Sequence, residues 1–131
     1  MQKWNILLAD DDPEDRLILQ DALESVRAGT ILKYAENGEE MLAILASDYT
    51  DKHPCLIVLD LNMPRLNGTE TLRRLKNDHR FKNIPVVIYS TSINPLIKEE
   101  CLTLGAHSYI TKPVSFTESM EIAKVFIRLC Q

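Results

Sequence analysis

Short apolar runs alternate with amphipathic stretches along this chain, and that alternation predicts an α/β fold: a doubly wound, five-stranded parallel sheet with helices on both faces. Two further observations support it. The run Leu56-Ile57-Val58-Leu59 is continuously apolar, as a central strand covered on both faces must be. Charged residues also close separate runs, Asp10-Asp11-Asp12 the first, Asp60 the third and Lys112-Pro113 the last. Charges at the ends of parallel strands gather on one sheet edge, where ligands of such folds bind.

Each element has its own local reason. Ile6-Leu7-Leu8-Ala9 reads as the first strand, and Asp12-Pro13-Glu14-Asp15 then provides an N-cap, a proline at the first helical position and acids in the first turn. In the helix that follows, Leu19, Ala22, Leu23 and Val26 recur at helical spacing until Gly29 interrupts it. Ile31 to Tyr34 is the second strand, and Asn37-Gly38-Glu39-Glu40 opens a helix with Met41, Leu42 and Leu45 inward, followed by a loop from Ser47 to Pro54. Cys55 to Leu59 makes the third strand and Gly68 to Asn77 the third helix, after a turn containing Pro64. Pro85 introduces the fourth strand, Val86 to Tyr89. Ile97, Cys101 and Leu104 mark a fourth helix that stops at Gly105, a natural left-handed cap. His107 to Ile110 is the fifth strand and Thr117 to Leu129 the last helix, with Ile122, Ala123, Phe126, Ile127 and Cys130 as its core stripe. Val125 and Leu129 form a second apolar strip, readable either as a wider core or as a docking face.

Composition bounds the function. With 131 residues, 45% of them hydrophobic, the expectation is one domain over 1–131, without an output domain and with a core that needs no staples. A net charge of −4 with interspersed Lys and Arg offers no basic stripe for nucleic acid. No apolar run reaches membrane-spanning length and no signal sequence is visible, so a cytoplasmic location without a membrane partner is expected. Cys55, Cys101 and Cys130 are odd in number and far apart, which reads as reduced thiols rather than a disulfide. His53, His79 and His107 lack paired ligand spacing, and no Gly-rich nucleotide loop is present.

Chemistry concentrates on the carboxylates. Asp10, Asp11 and Asp60 crowded at one edge cannot all stay ionised unless a cation joins them, and a hard divalent ion such as Mg²⁺, which takes oxygen ligands and arrives with phosphate, resolves the crowding. An aspartate can itself accept a phosphoryl group when cations neutralise the transferring oxygens, and Lys112 from another strand end is such a cation. Ser90 offers a hydroxyl on the same edge.

Together these residues resemble the receiver domain of two-component response regulators over essentially the whole chain. The matching motifs are Leu7 to Asp12 for the acidic pocket, Leu59-Asp60-Leu61-Asn62-Met63-Pro64 with Gly68 for the phosphoacceptor strand and loop, Tyr89-Ser90-Thr91-Ser92 for the switch strand and Tyr109-Ile110-Thr111-Lys112-Pro113 for the lysine strand. The resemblance implies the flavodoxin-like strand order 2-1-3-4-5. It also implies Asp60 as phosphoacceptor, Asp11, Asp60 and the Asn62 carbonyl as Mg²⁺ ligands with Asp10 acting through water, and Lys112 as phosphoryl-binding cation. Ser90 is then the switch hydroxyl, Tyr109 the rotating aromatic, and Asn62 and Ser92 the residues that tune hydrolysis. Its partners would be a sensor histidine kinase or a histidine phosphotransfer protein, with the face of the fourth helix, fifth strand and fifth helix serving homodimerisation or output contact. Leu75-Lys76-Asn77-Asp78, Lys82 to Val87 and Gly105 to Phe116 further resemble standalone receivers paired with phytochrome-type histidine kinases. Two departures are a Ser where Thr is commoner at the switch and a longer loop from Ser47 to Pro54.

Such a chain phosphorylates and dephosphorylates only itself, so it is not expected to be an enzyme acting on an external substrate. Two alternatives differ in class. A phosphatase with an Asp nucleophile would want a second acid two residues on, where this chain has Asn62; a degenerate receiver acting only as an interaction module would have lost a pocket residue, the acceptor or the lysine, and all are present.

Overall fold

Side chains alternate across a strand, so a strand covered by helices on both faces must be apolar at every position. The computed structural model, which describes residues 4–48 and 53–131, shows this in β1 (Asn5–Ala9), β3 (Leu56–Leu59) and β4 (Val86–Ser90), buried from Ile6 to Ala9 and throughout β3 and β4. The edge strands β2 (Ile31–Ala35) and β5 (Ser108–Thr111) are largely open, and their sequences are correspondingly mixed. All pairings are parallel in the order β2-β1-β3-β4-β5, as expected for the flavodoxin-like receiver fold.

The helices are α1 (Pro13–Val26), α2 (Gly38–Asp48), α3 (Gly68–Lys76), α4 (Pro95–Thr103) and α5 (Phe116–Leu129). Two cores result, one on each face of the sheet. Leu7, Ile57, Leu59 and Ile88 meet Met41, Leu45, Leu72, Leu75 and Cys101 from α2, α3 and α4. Ile6, Leu8, Leu56, Val58, Val87 and Tyr89 meet Leu19, Leu23, Ala123 and Phe126 from α1 and α5. Side-chain oxygens cap all five helices: Asp12 accepts from the Glu14 N–H at 2.9 Å, Asn37 from Glu40 at 2.8 Å, Asn67 from Glu70 at 2.9 Å, Asn94 from Leu96 at 2.9 Å and Ser115 from Glu118 at 3.2 Å. Gly105 adopts φ +110° just beyond α4, the left-handed stop its sequence position implies.

Boundaries move by a residue or two where backbone pairing extends past the apolar run. β2 includes Ala35, β4 includes Ser90 and β5 ends at Thr111. α2 continues to Asp48, so it takes up the start of the predicted loop; residues 49–52 of that loop lie outside the described residues.

One expectation needs correction. Cys55 and Cys130 form a disulfide with Cα atoms 5.0 Å apart, although 75 residues separate them. α5 runs back across the sheet, so its C-terminal cap arrives beside the residue that leads into β3. Cys101 is the free thiol among the described residues, and it is buried. Of the two readings left open for the second strip on α5, the wider core holds: Val125 and Leu129 are half-buried against the α1 and α5 side of the sheet. The most exposed large apolar residues lie near the ends of β4 and β5, on α4 and at the start of α5, with Ile93 at 81%, Leu96 at 74%, Val114 at 91% and Phe116 at 65% exposure.

Candidate functional site

The carboxyl ends of β1, β3, β4 and β5 converge because parallel register aligns them. Ala9 pairs with Leu59, and the Asp60 N–H donates to the Ala9 carbonyl at 2.9 Å, which brings Asp10 and Asp60 side by side. Ser90 pairs with Thr111, and the Lys112 N–H donates to the Ser90 carbonyl at 2.9 Å, so the lysine enters from the neighbouring strand. Carboxylate oxygens of Asp10, Asp11 and Asp60 lie within 4.8 Å of one another, with Asp10 and Asp60 buried and Asp11 exposed.

The loop after Asp60 is held by close backbone approach. A Cβ on Gly68 would stand 2.2 Å from the Asp60 carbonyl oxygen, and the Gly68 N–H donates to the Leu61 carbonyl at 3.1 Å. Only glycine leaves room there. Gly38, at the start of α2, donates its N–H to the Leu66 carbonyl at 3.1 Å, so a second helix terminus braces the same loop.

Lys112 is the electrostatic centre. Its Nζ lies 2.8 Å from Asp10 Oδ2, 2.7 Å from Asp15 Oδ2 and 3.5 Å from Asp60 Oδ2, with only 8% of the side chain exposed. Burial works against its charge, but the close ion pairs with Asp10 and Asp15 outweigh burial and hold it protonated above the ordinary lysine range. Burial pushes the Asp60 carboxyl up to about 6; the Lys112 charge opposes this and Asp10 adds to it. Burial raises Asp10 as well, against the pull of Lys112 and the Asp12 N–H. Asp10 Oδ2 is the one buried side-chain oxygen among the described residues without a well-formed hydrogen bond, for the nearby ammonium makes an ion pair there and leaves lone pairs uncommitted. An all-oxygen set with an uncommitted buried acceptor fits a hard divalent cation.

The other predicted residues fall around this centre. Ser90 is fully buried and its hydroxyl oxygen accepts the Ser92 N–H at 3.1 Å. The Tyr109 hydroxyl donates to the Ser92 carbonyl at 2.7 Å, which ties the aromatic to the same segment. Asn62 and Ser92 line a cleft of about 590 Å³ with Thr69, Ile97 and Glu100, beside the pocket. The sequence marks Asp15 only as a first-turn acid of α1 and carries no sign of its contact with Lys112, 97 residues away.

A family model described as "Response regulator receiver domain" matches residues 6–124. The chain belongs to the response regulator receiver family. Among solved structures, this receiver superposes on the phosphorylated cyanobacterial phytochrome response regulator RcpA with a TM-score of 0.86 at 32% identity, covering 95% of this chain and 91% of that one. The Mn²⁺-bound response regulator Rcp1 gives a TM-score of 0.82 at 28% identity, over 94% of this chain and 91% of the other. The Arabidopsis thaliana two-component response regulator ARR7 is 33% identical over 95% of this chain and 63% of its own length. The receiver spans 35%, 63% and 51% of the lengths of its first three curated relatives, one of them a protein-glutamate methylesterase from Trichodesmium erythraeum. The family to which it belongs is that of two-component signalling. No helix among the described residues is long and apolar enough to cross a membrane.

Proposed function

We propose that Asp60 accepts a phosphoryl group from a phosphohistidine of a sensor histidine kinase or histidine phosphotransfer protein, and that the resulting charge switches a protein-interaction surface. The supporting observation is a buried strand-end carboxylate with Asp10 and Asp11 within 4.8 Å and a buried ammonium at 3.5 Å. Asp11, Asp60 and the Asn62 carbonyl would hold Mg²⁺, with Asp10 acting through water, and the ion would neutralise charge on the transferring oxygens. An Asp60 oxygen forms its bond to phosphorus as the P–N bond of the donor breaks; the histidine nitrogen keeps the electron pair and later takes a proton from solvent. Lys112 meets the incoming oxygens.

The Ser90 hydroxyl would then turn from the Ser92 N–H and donate to a phosphoryl oxygen. Because Tyr109 is bonded to the carbonyl of that same Ser92, a shift there loosens the aromatic and carries the change to α4, β5 and α5. Asn62 and Ser92, lining the adjacent cleft, stand where they would tune water access and hydrolysis. The chain on this reading turns over no external substrate and works in the cytoplasm. Exposed Leu96 and Leu102 on α4 and Phe116 on α5 support a homodimer through that face.

The test is intact mass after incubation with acetyl phosphate, with and without Mg²⁺, beside Asp60→Asn. One phosphoryl adduct that needs both Mg²⁺ and Asp60 is expected. Absence of an adduct on the folded wild-type chain would overturn the phosphotransfer reading in favour of an interaction module.

A further inference from the structure

Lys112 has one charge to share among three carboxylates, and the phosphoacceptor holds the weakest claim. Its Nζ is 2.7 Å from Asp15 and 2.8 Å from Asp10 but 3.5 Å from Asp60. Asp15 is well placed to keep that share. It stands in the first turn of α1, where the helix dipole favours a negative charge, and the Asp12 cap fixes the start of that turn. The Tyr89 ring, 5.8 Å from the ammonium and packed edge-on against Phe126, walls the lysine on another side. For Lys112 to close on a phosphoryl group at Asp60, its contact with Asp15 must lengthen or break.

We propose that Asp15 is a positioning residue that competes with Asp60 for Lys112 and thereby restrains phosphoryl uptake. This rests on the phosphoacceptor reading of Asp60. Asp15 touches neither metal nor phosphoryl group; it acts through where it keeps the ammonium. Removing its charge but not its shape frees Lys112 to pair with the oxygens gathered at Asp60, whereas Glu, which keeps the charge, preserves the restraint. A purely structural ion pair between α1 and the segment after β5 would instead change stability and leave phosphoryl uptake unaltered.

The test uses the full chain with Mg²⁺. Initial rates of phosphorylation are measured by intact mass across acetyl phosphate concentrations, and beryllofluoride affinity is measured by calorimetry as a readout independent of turnover. Asp15→Asn is expected to raise both by about fivefold, the scale of one partly exposed ion pair. Asp15→Glu should return close to wild type, and Glu14→Gln, which removes a neighbouring charge that does not touch Lys112, should have a smaller effect. In a Lys112→Ala background the gain from Asp15→Asn should vanish. Equal effects of Asp15→Asn and Glu14→Gln, or a gain that persists without Lys112, would overturn the proposal while wild type still gains its adduct on Asp60. No adduct on wild type would bring down the phosphoacceptor reading and this inference with it.

Discussion

The two ends of the sheet are built on opposite principles. At the amino end, where β1 and β3 begin, the Cys55 N–H donates to the Asn5 carbonyl at 2.9 Å, the Cys55–Cys130 bond closes α5 onto the sheet, and the Arg27 guanidinium lies 3.8 Å over the Trp4 ring. Every polar group named there is satisfied or covalently tied. At the carboxyl end, Asp10 and Asp60 are buried beside each other and a single lysine serves three acids. Binding sites hold charges whose mutual repulsion is relieved only when a ligand arrives, so one end anchors the fold while the other carries its stored cost.

Breaking the anchored end should have the largest effect. Cys130→Ser, or reduction of the wild type, opens a long loop and is expected to lower stability by about 3–4 kcal/mol, read by urea unfolding with and without reductant. Unchanged midpoints would show that the amino end holds without its covalent tie. At the other end the sign should reverse: Asp60→Asn is expected to raise stability at pH 7 by about 2–3 kcal/mol, because the folded state disfavours the ionised carboxylate.

The pH dependence of that effect follows from Asp60, which titrates near 6 when folded against 3.8 when free. The folded chain binds this proton more tightly, so its contribution is most favourable below the free value and is lost as pH rises through the folded one. The gap between wild type and Asp60→Asn should therefore widen from about pH 4 to pH 6 in the absence of divalent ions and narrow on adding Mg²⁺, measured by thermal melts across that window.

Two smaller changes sharpen where the cost resides. Gly68→Ala forces a methyl against the Asp60 carbonyl and should cost about 2 kcal/mol while also slowing phosphoryl uptake, since the acceptor loop must shift. Tyr109→Phe removes one half-buried hydrogen bond to the Ser92 carbonyl and should cost about 1 kcal/mol or less in melting experiments. A larger loss would place Tyr109 in the anchoring core rather than in the switch segment.

Element ends are legible in the sequence where the physics is local. Asp12 and Pro13 at the start of α1 and Gly105 after α4 mark element ends through interactions spanning a few residues. Asp10, Asp60, Ser90 and Lys112 were legible because each directly follows or ends a strand, so parallel register brings them to one edge. Pairs brought together only by packing carry no local mark. Cys55 and Cys130 are 75 residues apart, and their spacing carries no sign of the return path of α5. Val125 and Leu129 look identical as a docking strip or a core edge until α1 and the sheet are seen to cover them.

Asp15 separates the two kinds of information most clearly. Its residue type and its place in the first turn of α1 follow from the sequence alone, as do the alternation that makes the sheet and the order of acids, hydroxyl and lysine along the strand ends. Its claim on Lys112, 97 residues away, does not. That contact exists because β5 lies beyond β4 at one side of the sheet while α1 packs beside α5 across the same face, and long-range geometry of this kind is decided by the packing of whole elements rather than by any residue's own preference.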